Sequence, residues 1–175
     1  MATRITLAEA QSIPDILSAE NYRLNLGEIP NIGNAADLSI KCQTAVIPGR
    51  RNESFEASLG GYVRNFSGRN LWERTIAIGF VEDITMGTSY LLRGWLEQIR
   101  GTNSGTAIGN IADYSVSPEL SIFDQAGNEV DVVQFFNFYI ESLSDINLEV
   151  NSSQPIQIQA TFRYDYCIFA NTIIR

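Results

Sequence analysis

The chain has 175 residues with 12 Lys and Arg against 20 Asp and Glu, a net charge of −8, and no histidine. A balance this acidic lacks the clustered Lys and Arg that nucleic-acid binding through phosphates requires. The missing histidine removes the usual general base, zinc ligand and neutral-pH switch together. Charge is also uneven: residues 1–100 hold 10 Lys and Arg against 11 Asp and Glu, and residues 101–175 hold 2 against 9. The length suits one domain, 1–175, able to bury a core without metal or disulfide. Cys42 and Cys167 each sit in an apolar run and read as buried small hydrophobes, which fits a reducing compartment. No apolar run approaches the ~20 residues of a membrane helix, and the start MATRITLAEAQ lacks a signal-peptide core. Membrane binding is therefore not expected, and synthesis and use in a cytoplasm are.

Residues 1–20 read as an N-terminal arm, with Ile13, Ile16 and Leu17 around Pro14 predicting a helical turn from Ser12. Tyr22, Leu24 and Leu26 alternate with polar residues and predict a first strand over 21–26. After the turn-rich GEIPNIGNAAD, the alternation of Leu38, Ile40 and Cys42 predicts a second strand over 38–46. A polar insertion follows at 48–70, long for a compact domain unless it has a structure or task of its own. Gly60-Gly61 is a two-residue hairpin signal. It sets Leu59 opposite Tyr62, Ala57 opposite Arg64 and Phe55 opposite Phe66, all on one face of a projecting ribbon, with Arg50, Arg51, Arg64, Arg69 and Arg74 nearby.

The segment 71–101 changes period midway. Ile76, Ile78 and Phe80 alternate as in a strand over 75–82, whereas Leu91, Leu92, Trp95, Leu96 and Ile99 form one helical stripe. Thr88 or Ser89 is the expected N-cap, and Arg100 with a left-handed Gly101 the expected end. Gly94 inside this helix costs roughly 1 kcal/mol relative to Ala and implies a close neighbour. The glycine-rich GTNSGTAIGN reads as a flexible connection. Tyr114 to Phe123 predicts a strand whose Pro118 argues for an edge or bulge, and DQAGN a hairpin turn. Val130 to Ile140 is apolar on both faces, as a doubly buried strand would be. Short turns then flank a strand over 146–150. The last strand sets Ile156, Ile158, Ala160, Phe162, Tyr164 and Tyr166 against polar neighbours. The expected fold class is mainly β: about eight strands in two packed, mostly antiparallel sheets, sandwich- or barrel-like, with one flanking α-helix.

Sites for chemistry are sparse. No glycine-rich loop follows a strand and opens a helix, and no GK[ST] is present, so no phosphate cradle is expected. Glu82 and Asp83 are adjacent, so a shared cation or acid–base site would need a bend, and they read as a strand-end turn. A serine nucleophile would have only Lys41, the sole lysine, as base. No catalytic residue, metal ligand or cofactor is expected, and an enzyme is not the reading.

Four segments in order carry a resemblance: CQTAVIPG from Cys42 to Gly49, TIAIGFVED from Thr75 to Asp83, LLRGWLEQI from Leu91 to Ile99, and ATFRYDY from Ala160 to Tyr166. Together they resemble the tail tube protein of contractile-tailed bacteriophages, over most of the chain from Tyr22 onward. The resemblance implies a virion structural protein, assembled in the host cytoplasm, whose six-membered rings stack into a hollow tube. It implies a contractile sheath outside, DNA and a tape-measure protein passing inside without specific binding, and a baseplate and tail terminator at the ends. Tube-initiating baseplate proteins and tubes of contractile injection and type VI secretion particles share this fold. Chain length without an appended domain favours the repeating subunit. On that reading neighbouring sheets join into a continuous inner wall from Leu38–Val46, Thr75–Glu82 and Val130–Val150. Residues 48–70 become a stacking loop, with Arg50, Arg51, Phe55, Leu59, Tyr62, Arg64, Phe66 and Arg69 touching the next ring. Glu141, Asp145 and Glu149 become acids of a DNA-repelling bore. Two other classes stay open: a β-sandwich module binding sugars or proteins, which predicts a soluble monomer, and a small hydrolase, which lacks its histidine.

Overall fold

The computed structural model describes residues 17–101, 109–146, 148 and 154–170, with Asn34 described by its backbone. The helical turn expected from Ser12, most of the arm, most of the connection after Gly101 and most of the strand expected over 146–150 lie outside these residues.

Two four-stranded antiparallel sheets pack face to face. The first holds β1 (Tyr22–Asn25), β8 (Glu119–Phe123), β9 (Glu129–Phe136) and β12 (Tyr166–Phe169) in that order. The second runs β10 (Tyr139–Leu143), β11 (Gln157–Arg163), β7 (Thr75–Val81) and β4 (Cys42–Thr44). Two further hairpins pair β2 (Glu28–Ile29) with β3 (Gly33–Asn34), and β5 (Arg50–Leu59) with β6 (Tyr62–Trp72). Among the described residues the α-helices are α1 (Ala36–Lys41) and α2 (Gly87–Ile99). The fold is thus the expected one, mainly β with two antiparallel sheets and a flanking helix, although the sheets do not close into a barrel.

The alternation in β7 and β11 places Ile76, Ile78, Phe80, Ile158, Ala160 and Phe162 in the core, facing Leu24, Leu120, Val133, Phe135 and Cys167 of the first sheet. Helix α2 contributes its predicted stripe. Leu92 and Trp95 are fully buried, with Leu91, Leu96 and Ile99 packed at the margin. The Trp95 ring lies 5.8 Å from that of Phe162, and its indole N–H donates to the Tyr114 carbonyl at 2.7 Å, so the large apolar group is buried without an unpaired donor.

Several expectations are corrected. The strand expected over 38–46 is instead α1 followed by the three residues of β4. A helix here buries Ala35 and Leu38 and leaves Ile40 80% exposed, while Asp37 in the first turn and Lys41 in the last suit the helix dipole. The segment 130–140 is not one strand: Asn137 adopts a left-handed conformation (φ 51°), and the chain leaves the first sheet as β9 and enters the second as β10. The last strand also breaks, at Tyr164 and Asp165, between β11 and β12. Tyr166 consequently turns outward and Cys167 inward. These two crossovers touch, since Asp165 N–H donates to the Phe136 carbonyl at 3.0 Å and Asn137 Nδ2 donates to Asp165 Oδ2 at 2.6 Å. With such runs split and the small β2–β3 hairpin added, the described residues form twelve strands instead of about eight. Helix α2 ends at an extended Arg100 (φ −153°, ψ 103°) before any Gly101 cap. Gly94 is exposed with no atom of the described residues near an added Cβ, so none of them is the close neighbour expected there.

Candidate assembly surfaces

The β5–β6 ribbon forms in the predicted register, Leu59 opposite Tyr62, Ala57 opposite Arg64 and Phe55 opposite Phe66. Gly60 (φ 59°) and Gly61 (φ 86°) supply the two positive φ angles that a tight hairpin with right-handed twist demands. The ribbon extends to Trp72, and past a bulge at Gly68 and Arg69 it makes its contacts chiefly within itself. Its aromatic face is open to water: Phe55 is 54% exposed, Leu59 55% and Tyr62 79%. Phe55 and Phe66 stack at 5.5 Å, and the Arg64 guanidinium sits 5.9 Å from the Phe66 ring. Val63, exposed on the opposite face opposite Ser58, is an apolar position the one-face reading missed, although strand alternation places it there.

The arginines divide by position. Arg50 at the base lies over Trp72 (4.8 Å) and Phe169 (5.4 Å), clasping the ribbon to the body by cation–π contact. Arg69 binds Glu53 at 2.8 Å across the bulge. Arg51 and Arg64 remain exposed on the ribbon.

Of the three candidate bore acids, Glu141 is the bulged residue of β10 and forms an ion pair with Arg163 at 2.8 Å. Asp145 is exposed, and Glu149 lies outside the described residues. Among the described residues each sheet ends in edge strands, β1 and β12 in one, β10 and β4 in the other. Beside β10, a groove of about 550 Å³ is lined by Arg93, Leu96, Ile99, Arg100, Tyr139 and Glu141.

Glu82 and Asp83 have a structural task. Met86 is the N-cap, in a left-handed conformation with no side-chain cap of its own. In place of the expected Thr88 or Ser89 hydroxyl, the buried Glu82 carboxylate accepts from Thr88 N–H at 3.0 Å and Ser89 N–H at 2.8 Å. Burial opposes its charged form, but the hydrogen bonds from Ser89, Asp83 and Thr88 outweigh this and hold its carboxyl below the usual range. Asp83 is held far below that range by Lys41, with Thr85 and Gly87 N–H adding to it. Ile40 and the fully exposed Ile84 flank this Lys41–Asp83 pair in sequence. Sequence reasoning missed the exposure of Ile40 because it placed that residue in a strand.

Both cysteines are free. Burial raises the Cys42 thiol to about 11, against the lowering effect of Tyr22 and the Thr44 carbonyl, and burial raises Cys167 as well, so neither is poised as a thiolate. Among the described residues no three metal-ligating side chains converge, and no helix is long and apolar enough to cross a membrane.

No curated protein matches the sequence. Solved structures share the fold. A chain from the baseplate of the anti-feeding prophage superposes with a TM-score of 0.67 at 12% identity, covering 90% of this chain and 97% of that one. A chain of the sheath–tube complex of the extracellular contractile injection system PVC gives 0.63 at 13% identity, with 94% and 97% coverage. One from the tube-terminating cap of the anti-feeding prophage gives 0.65 at 14%, with 90% and 93% coverage. The phage tail tube protein model matches residues 11–170, a span that takes in both sheets, α2 and the self-contained ribbon, and the chain therefore belongs to the phage tail tube protein family as a tube-like structural protein.

Proposed function

We propose that this protein is the repeating subunit of the inner tube of a contractile bacteriophage tail, with six copies closing each ring and rings stacking into the conduit that delivers DNA. The observation that carries this is the β5–β6 ribbon. An isolated two-stranded hairpin is marginal in water, yet this one holds an aromatic face with Phe55, Leu59 and Tyr62 half-exposed or more. Burying those groups against an adjacent ring contributes about 1 kcal/mol or more per side chain. Arg51 and Arg64 would meet a neighbour whose residues 101–175 are strongly acidic, adding steering and only ~0 to 1 kcal/mol per exposed pair.

Within a ring, the sheet β10, β11, β7, β4 alternates direction strand by strand. Setting β4 of one copy against β10 of the next by rotation about the ring axis keeps that alternation and closes both free edges. Sheath protein would lie outside the tube, tape-measure protein and DNA inside, and baseplate and terminator at the ends, with assembly in the host cytoplasm and residence in the virion. The role is structural rather than enzymatic.

Replacing Glu53 to Gly68 by a short Gly-Ser turn tests the reading. The truncated protein is expected to keep its near-UV circular dichroism and to stop at monomers or single rings in sedimentation and microscopy. Long tubes from the truncated protein would show that the ribbon is not the connector.

A further inference from the structure

The sheet β10, β11, β7, β4 is flanked at its two edges by apolar features that the described residues leave open. At the β4 edge, Thr44 pairs with Gly79 of β7, and further along the chain Arg50 pairs with Trp72. Between these anchors residues 45–49 run alongside residues 73–78, which brings Val46 and Ile47 level with Thr75 to Ala77. Both are branched aliphatics, 54% and 48% exposed. At the β10 edge lies the groove of about 550 Å³, whose apolar lining is Leu96, Ile99, Tyr139 and Ile140. Around it stand Arg93, Glu97 and Arg100 of the α2 end, with Glu141, which is paired to Arg163. The same ladder fixes the height of this groove, since Ile76 pairs with Phe162 and Phe162 with Ile140. Val46 and Ile47 therefore stand at the height of the groove, on the opposite edge of the sheet.

Within one subunit the two cannot meet. β11 and β7 separate β10 from β4, a distance of three strand spacings, or about 14 Å. A second copy set edge to edge brings them together, and because the two edges carry different features the contact is head-to-tail and repeats until a ring closes. The chemistry of the two sides agrees. Two aliphatic side chains entering a groove floored by Leu96, Ile99 and Tyr139 remove apolar surface on both partners from water, with charged groups left at the rim as in other protein interfaces. Glu20, exposed on the segment that borders Val46 and Ile47 in a cleft with Tyr22 and Leu120, offers a charge opposite to that of the exposed Arg93 and Arg100.

We propose that Val46 and Ile47 of one copy seat in the groove between α2 and β10 of the next, and that this seating sets the register in which the sheet edges pair. Backbone edges alone accept several registers and several partners; a side-chain socket beside the edge selects one. The inference rests on the tube reading and adds to it the side-chain contact that makes edge pairing specific.

Cross-linking between copies tests it. Ile47→Cys and Leu96→Cys are combined in one chain, with Val46→Cys and Arg93→Cys as a second pair should the first not fold. The assembled protein is treated with a short bismaleimide and run on a denaturing gel, with each single variant setting the background from Cys42 and Cys167. The expected result is a ladder of covalent oligomers from the double variant and background alone from the single ones. A third variant, Val46→Asp with Ile47→Asp, is expected to keep its near-UV circular dichroism and to lose ring formation in sedimentation. Rings from the unsubstituted protein with no ladder from the double variants, cross-links confined to single chains, or rings still formed by the aspartate variant would each overturn the inference and leave the tube reading standing. Failure of the unsubstituted protein to form rings would overturn both.

Discussion

Helix α2 hangs from Glu82, and removing that carboxylate should loosen the helix and the core together. In Glu82→Ala, Thr88 and Ser89 N–H and the Ser89 hydroxyl lose their acceptor, at a position where Thr88 and Ser89 are almost completely buried. Loss of a helix N-cap costs ~0.5–2 kcal/mol, and each buried donor left unsatisfied costs about 1–3 kcal/mol. Because these figures describe overlapping groups, we expect a net loss of ~3 kcal/mol, or roughly 6–12 °C in Tm for a domain of this size. Glu82→Gln keeps the shape and one acceptor oxygen and should lose less. The assay is urea unfolding of the dissociated subunit followed by tryptophan fluorescence, at several pH values. The folded carboxyl titrates below its ordinary value, so Glu82 contributes fully above its unfolded pKa of about 4.3 and progressively less as pH falls through the folded value. The difference between wild type and Glu82→Gln should therefore be flat near neutrality and shrink in acid. A variant as stable as wild type at pH 7, or a difference that grows in acid, would refute the capping role.

Four other changes follow from the same structure. Gly94→Ala should stabilise the dissociated subunit by up to ~1 kcal/mol in urea unfolding, since the added methyl meets nothing. Asn137→Ala should cost about 1–2 kcal/mol by the same measurement, because alanine lacks the polar side chain that lets asparagine adopt the left-handed region and loses the bond to Asp165, while Asn137→Gly recovers the backbone share. Trp95→Ala should cost ~3–5 kcal/mol, read as a lowered denaturation midpoint, because a fully buried indole leaves a cavity beside Phe162. Glu141→Gln should leave Arg163 without its partner and make DNA retention by assembled tubes more salt-dependent, measured by co-sedimentation.

How much of this was legible in the sequence depended on whether local pattern and tertiary demand agreed. In β7, β11 and α2 they agreed, and the periods of Ile76–Phe80, Ile158–Phe162 and Leu91–Ile99 named the core. The outer half of the ribbon, from Phe55–Phe66 to Leu59–Tyr62, was legible in register because Gly60-Gly61 fixes the pairing, whereas the bulge at Gly68 and Arg69 was not. Pattern failed where the chain changes sheets. An apolar run such as 130–140 has the same alternation whether it stays in one sheet or crosses to the other, and the one local sign was Asn137, a residue that tolerates the left-handed region. At Leu38 to Cys42 a period of two and a single helical turn were both compatible with the spacing, and burial of Ala35 and Leu38 chose the helix. The cap was misassigned because Glu82 acts from the preceding strand, outside the helix-start pattern. The pairing of Glu141 with Arg163 was not legible, since it depends on β10 lying beside β11.

Cryo-electron microscopy of the purified protein under assembling conditions tests the central claim most directly. Six-membered rings stacked into tubes are expected, with each β5–β6 ribbon seated on the adjacent ring and Phe55, Leu59 and Tyr62 buried there. Protein that stays monomeric, or tubes in which the ribbons point free into solvent, would contradict that claim.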